Sequence, residues 1–261
     1  MTQVGDPIAA GHYARHQIFA PDPLIGWSHR QRFRTALRLA QPFAGGRVLD
    51  YGSGDGTFLA LLDVSGAAPA LAVGAEVDPR LVLDCKERFA AHRRVRFVDV
   101  AELLALSPGP YDAVFCMEVL EHVPDPEPLL ADFADLLRPG GTLLISVPIE
   151  TGVPVFVKQI VRRVAGWRRI GNYPGTTDYR PRELVRSVFA TSRQHLVRPE
   201  FAGADGRTFH DHKGFNWRVL QAVVASKFEL RRTVTSPFNW PGPQFATQVW
   251  FVARKRSSGD Q

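Results

Sequence analysis

Between Arg47 and Pro148 short apolar runs alternate with amphipathic stretches. RVLDYG, ALAVGAEVD, RVRFVDV, YDAVFCMEV and TLLISVP are apolar runs of strand length. FLALLDV, RLVLDCKERFAAH and PEPLLADFADLLRPGG repeat their apolar positions every three to four residues, which predicts helices. This order, with short connections, predicts a parallel sheet with right-handed crossovers. Pro139, Gly140 and Gly141 are expected to stop the last of these helices and turn the chain back into the sheet. Upstream, QRFRTALRLAQPF predicts a helix within an N-terminal cap, residues 1–45. After the core, 46–149, the rhythm breaks into a basic, Pro- and Gly-punctuated insertion, 150–216. The remainder, 217–255, reads as a helix (FNWRVLQAVVASKF) and two strands (FELRRTVTS, QVWFVARK) that form an antiparallel edge hairpin. The expectation is one α/β domain, doubly wound, with a mostly parallel seven-stranded sheet.

Composition narrows the setting. A chain of 261 residues with 45% hydrophobic and 22% charged positions has room for one sizeable core and no reason for wholesale disorder. Cys85 and Cys116 fall in a predicted helix and a predicted strand, which reads as reduced core thiols in a cytoplasmic protein. No signal segment and no run of eighteen apolar residues is present, so no membrane span is expected. The net charge of +6 and pI near 9.7 suit polyanions in general. Arginine is spread throughout, however, and no appended RNA-binding module is recognisable, so nucleic acid is not the expected partner.

The most informative segment is VLDYGSGDGTFLALL. An apolar strand ends in Asp50, glycines follow at 52, 54 and 56, and a helical pattern begins at once. Glycines allow a tight turn and close approach of a ligand, and the following helix offers unpaired N–H groups. The spacing is G-x-G-x-G, not the G-x-G-x-x-G of a dinucleotide site. Asp50 would repel a pyrophosphate and suits a ligand carrying an ammonium group, such as S-adenosylmethionine. The second strand ends in Glu76, where open α/β sheets place a carboxylate on ribose hydroxyls.

The stretches VLDYGSGDG, GAEVDP, YDAVFCMEVLEHVPDP and LLRPGGTLLISVP occur in that order. With them the chain resembles the Rossmann-like class I S-adenosylmethionine-dependent methyltransferases, particularly ubiquinone-biosynthesis O-methyltransferases. The resemblance implies that Asp50, Gly52, Ser53, Gly54, Asp55 and Gly56 hold the methionine portion, that Glu76 holds the ribose and that Met117 lies beside the cofactor. S-adenosylhomocysteine would be the product. The family usually carries an acid just after strand three near the adenine. Here Asp99 sits about one place early, so Asp99, Val100 or Ala101 could serve, and Val77 could meet the adenine face.

After strand four, Glu118-Val-Leu-Glu121-His122 has the spacing to gather two carboxylates and an imidazole on one side of a turn. Similar clusters hold magnesium-type ions in some relatives and none in others. The expectation is a structural cluster with no metal, with a hydroxyl-polarising ion as the alternative. Ligands in such folds sit outside the strand ends, so the cap and the insertion should set the acceptor. His210 and His212 in FHDHKGFNW are the candidate bases. Tyr13, His16, Trp27 and His29 of the cap either close over the cofactor or pack. Residues 153–169 form an apolar stripe (Val157, Ile160, Val161, Val164, Trp167) flanked by Lys158, Arg162, Arg163, Arg168 and Arg169. This is a core-packed amphipathic helix or a helix for peripheral membrane contact. The expected reaction is O-methylation of a small-molecule or lipid-linked metabolite; the rivals are an RNA methyltransferase and a non-catalytic cofactor-binding regulator.

Overall fold

A computed structural model describes residues 11, 14, 18–19, 23–106, 109–167, 179–203, 206, 208–240 and 242–256. In chain order these form α1 (Pro23–Ala40), β1 (Arg47–Tyr51), α2 (Thr57–Asp63), β2 (Leu71–Glu76), α3 (Pro79–Arg88), β3 (Val95–Asp99), α4 (Val100–Leu106), β4 (Tyr111–Met117), α5 (Pro126–Leu136) and β5 (Leu137–Pro148). There follow α6 (Val153–Trp167), α7 (Pro181–Val188), β6 (Glu200–Ala202), β7 (Thr208–His210), α8 (Trp217–Lys227), β8 (Glu229–Ser236) and β9 (Gln248–Arg254). Seven strands form one sheet in the order β3-β2-β1-β4-β5-β9-β8, and β6 pairs with β7 in a separate antiparallel sheet.

The strand order reverses at β1, with β2 on one side and β4 on the other, both parallel to it. At such a switch point the loops leaving neighbouring strands diverge and open a ligand crevice. Leu49, Val114, Phe115 and Cys116 are fully buried because a parallel sheet covered on both faces excludes water from both sides of its central strands. Both cysteines are free and buried, as the sequence suggests.

The chain divides into two compact units: residues 1–117, 131–145 and 254–261, and residues 118–130 and 146–253. One expectation needs correction. Pro139, Gly140 and Gly141 do not close a helix, since α5 ends at Leu136 and β5 already begins at Leu137. Gly140 takes φ +69°, a bend in the strand, and Gly141 O accepts from Lys255 N at 2.8 Å. Sheet pairing therefore holds a segment whose residue types read locally as a helix stop.

Candidate functional site

The glycine-rich turn after β1 is built as its residue types require. Gly52, Gly54 and Gly56 all have φ between 55° and 76°, a region that side chains make costly. Space matters as well: a Cβ on Gly56 would lie 2.6 Å from Phe97 Cζ. Gly52 N and Ser53 N donate to Ala75 O, so the turn is tied to the end of β2.

Asp50, next to the last residue of β1, and Glu76, the last of the neighbouring β2, are both buried. Glu76 braces the turn: Oε2 accepts from Gly54 N at 2.8 Å and Oε1 from Val77 N and Asp78 N. Asp50 Oδ1 and Ser53 Oγ are buried without a hydrogen-bond partner among the described residues. Burial, reinforced by Glu76 and opposed by Arg32, pushes the Asp50 carboxyl up to about 8. A buried acid in this condition favours a cation as its neighbour.

Asp55 does different work from Asp50. Its Oδ1 accepts from the backbone and hydroxyl of Thr57, and its Oδ2 accepts from Ala14 N at 2.8 Å, so it ties Ala14 to the turn. Asp99 pairs in register with Glu76, and its Oδ1 accepts from Ala101 N. Val100 is buried and Val77 is exposed. Arg32, on α1, is a buried cation beside this acid pair that the sequence reading missed. One arginine among the four of α1 carries no mark in the sequence that sets it apart. His29 is held down to about 4 by burial and by Arg32. Tyr13 and His16 lie outside the described residues.

The histidines form a second cluster, in the other unit. His122 Nδ1 lies 2.8 Å from His210 O; a carbonyl only accepts, so Nδ1 carries the proton and Nε2 presents a lone pair. His212 Nε2 lies 3.3 Å from His122 Nε2, and Glu121 Oε1 lies 3.9 Å from both. Glu121, His122 and His212 are the one group among the described residues whose ligand atoms converge, within 4.8 Å, as a metal would need. Glu118 is placed differently, with Oε1 accepting from Ser146 Oγ. His212 thus stands where the sequence run put Glu118. His210 is a bracket: its Nδ1 donates to Pro199 O and its N–H to His122 O. Burial, then His122 and Lys158, lower the His212 pKa, against Glu118 and Glu150.

On α6 the side chains of Val153, Phe156, Val157 and Ile160 are each about half exposed, an apolar stripe at helical spacing. Lys158 turns inward to Glu150 Oε1 (2.7 Å) and Ile149 O. Arg168 and Arg169, and the side chains from Val161 to Trp167, lie outside the described residues.

A family model described as "Methyltransferase domain" matches residues 27–185. A ubiquinone biosynthesis O-methyltransferase of Xanthomonas campestris pv. campestris is 40% identical over 114 residues, 42% of this chain and 46% of that protein. One from Bordetella pertussis is 38% identical over 130 residues, 49% of this chain and 51% of that protein. The chain spans about half the length of the curated relatives it matches. Among solved structures, the N-methyltransferase NodS from Bradyrhizobium japonicum WM9 with S-adenosyl-L-homocysteine aligns at TM-score 0.54 and 14% identity, covering 97% of this chain and 96% of that one. The DhpI–SAH complex aligns at 0.53 and 15%, covering 97% and 95%. At these identities the likeness is one of fold.

Proposed function

Because the chain belongs to the methyltransferase-domain family, we propose that it moves a methyl group from S-adenosylmethionine to an acidic hydroxyl of a small or lipid-linked acceptor. The observation that carries this is the buried Asp50 carboxylate with an unpartnered oxygen, beside Glu76, at the glycine turn. It calls for a cation, and the cofactor brings two, an ammonium and a sulfonium, the latter carrying an activated methyl. Asp50, Ser53 and the side-chain-free faces of Gly52 and Gly54 would receive the methionine portion. Arg32 would pair with its carboxylate, Glu76 with the ribose hydroxyls, and Val77, Asp99 and Val100 with the adenine. Met117, at the end of β4, would line the methyl-bearing side, while Asp55 and Gly56 hold the turn in shape.

The cofactor does the bond-breaking, so the chain has to align the acceptor, exclude water and accept a proton. His212 is suited to that last task. In the neutral pair its Nε2–H donates to His122 Nε2, which leaves Nδ1 as the accepting nitrogen. Its lowered pKa keeps it unprotonated at neutral pH and makes it a weak base. A weak base deprotonates a phenol-type hydroxyl, of pKa about 10 as in tyrosine, far more readily than an aliphatic alcohol. The same convergence supports a second reading. With its proton on Nδ1 instead, His212 would join His122 and Glu121 in a two-imidazole, one-carboxylate site, which suits a zinc- or manganese-type ion better than magnesium. Such an ion would lower the pKa of a bound hydroxyl. The exposed stripe on α6 supports contact with a lipid surface that holds the acceptor.

Methyl-labelled cofactor incubated with 4-dodecylcatechol, catechol, dodecanol and dodecylamine tests the proposal. Label is expected in the two catechols. Label confined to the amine, or no heat on titration with S-adenosylhomocysteine, would overturn it.

A further inference from the structure

The two histidines of the cluster come from segments 90 residues apart, and neither lies on a long element that would fix its ring. Something must hold the two loops in register. The Arg198 guanidinium makes the connection: Nη2 donates both to Glu121 O, the residue before His122, and to Asp211 O (3.0 Å), the residue before His212. We propose that Arg198 is the positioning residue of this site, a single cation that bridges the backbone on either side of the imidazole pair and sets their separation.

Arg198 is itself fixed from three directions. Its guanidinium stacks 5.1 Å from the Phe215 ring centroid. Next to it, Pro199 O accepts from His210 Nδ1 at 3.0 Å, and His210 in turn exchanges backbone and ring bonds with His122. On the other side Gly214, at φ +72°, lets its backbone approach Val197 O so closely that a Cβ would lie 2.5 Å away. Segment 197–199 therefore lies flush along the loop 210–214. Burial lowers the guanidinium pKa to about 10, partly offset by Glu121 and Asp211, so the group stays charged at neutral pH. A planar fork with fixed donors serves two carbonyls on diverging loops; an ammonium on a flexible stem serves them less well. Groups that orient metal-binding imidazoles without touching substrate commonly change activity by about 10- to 100-fold when removed, and the same scale is taken for this pair.

This inference rests on the proposed role of the His212 pair, and the test separates the two. Arg198→Lys and Arg198→Met are compared with the parent by ring-proton cross-relaxation between His122 and His212, assigned with single His→Asn variants, with no acceptor or ion present. The rings stand 4.9 Å apart, within range of the measurement. The cross-peak should be strong in the parent, weaker in the Lys variant and lost in the Met variant. The affinity for S-adenosylhomocysteine should hold within about twofold, since the groups assigned to it belong to the other compact unit. With 4-dodecylcatechol, kcat should fall about 100-fold in the Met variant and about 10-fold in the Lys variant, with KM for the cofactor steady. A cross-peak that survives in Arg198→Met overturns the positioning role. Should the cross-peak vanish while kcat holds in both Arg198→Met and His212→Gln, Arg198 still sets the pair and the reading of His212 as the base fails.

Discussion

Asp50 carries the sharpest single-residue consequence. Its folded pKa of about 8 lies above its unfolded value, so its protonated form favours folding. That contribution is whole below the ordinary carboxylate range and is lost as pH rises toward about 8. An arriving ammonium reverses the preference and expels the proton. S-adenosylhomocysteine titrated at about pH 7 in buffers of different ionisation heat should release close to one proton, falling toward zero near pH 9.5. Heats that do not depend on buffer, or an Asp50→Asn variant that releases the same proton, would refute the assignment. Glu76→Ala removes three backbone acceptor bonds together with the ribose contact, and should weaken the same ligand by about 10- to 100-fold, or roughly 1.4–2.8 kcal/mol, by calorimetry. For His212 the neutral ring is the active form. Since its pKa is lowered, kcat should rise with pH through a midpoint below the ordinary imidazole range and stay flat across neutrality, and His212→Gln should lose that limb. Asp50 and Glu76 were legible in the sequence because they flank one turn and lie at the ends of consecutive strands. Arg32 and the partnership of His212 with His122 were not, because only folding brings those positions together.

At the scale of elements, continuous apolar runs mark β1, β2, β4, β5 and β9, strands largely buried on both faces, whereas β3 and β8 are partly exposed and read from mixed patterns. The β6–β7 pair has no such pattern. Each strand has three residues, too few for periodicity, so the Asp205-Gly206 turn signature between them has no flanking apolar runs to mark an antiparallel hairpin. That small pair matters to the site because it carries His210 to its place on Pro199 and His122. The start of β5 differs from the sequence expectation for the complementary reason: proline and glycine point locally to a stop, while Lys255 and Arg254 supply the partners that keep the segment in the sheet. The turn after β1 allows a stability test. Gly56→Ala would meet both a positive φ and Phe97, so it should destabilise by about 2–4 kcal/mol in urea unfolding. A loss below about 0.5 kcal/mol would show that the turn relaxes despite its ties to β2 and Glu76.

Over the whole molecule, the sequence names candidate residues even in the insertion, His210 and His212 among them, and does not tell which of them meet, as His212 meets His122 and Glu121. The surface follows the same rule. The basic excess of +6 bears on anionic surfaces in general, and the fold adds exposed apolar side chains. Val153, Phe156, Val157 and Ile160 stand exposed on α6, and Phe238, Trp240 and Phe245 are exposed on the loop that joins β8 to β9. The 3₁₀ turn Pro243–Phe245 in that loop packs against α6, so the two sets share one side of their unit. Half-exposed side chains of this size gain about 1 kcal/mol each on leaving water, and each basic group near an anionic surface adds about 1 kcal/mol at low salt. Vesicles of phosphatidylglycerol and phosphatidylcholine should therefore co-sediment the protein at about 50 mM salt and lose part of it at about 500 mM, as the Coulombic share is screened. The double variant Phe156→Ser, Ile160→Ser should keep the salt dependence and lose most of the residual binding. Equal partition of parent and double variant at high salt would mean that charge alone holds the protein to the surface and that the stripe faces some other occupant.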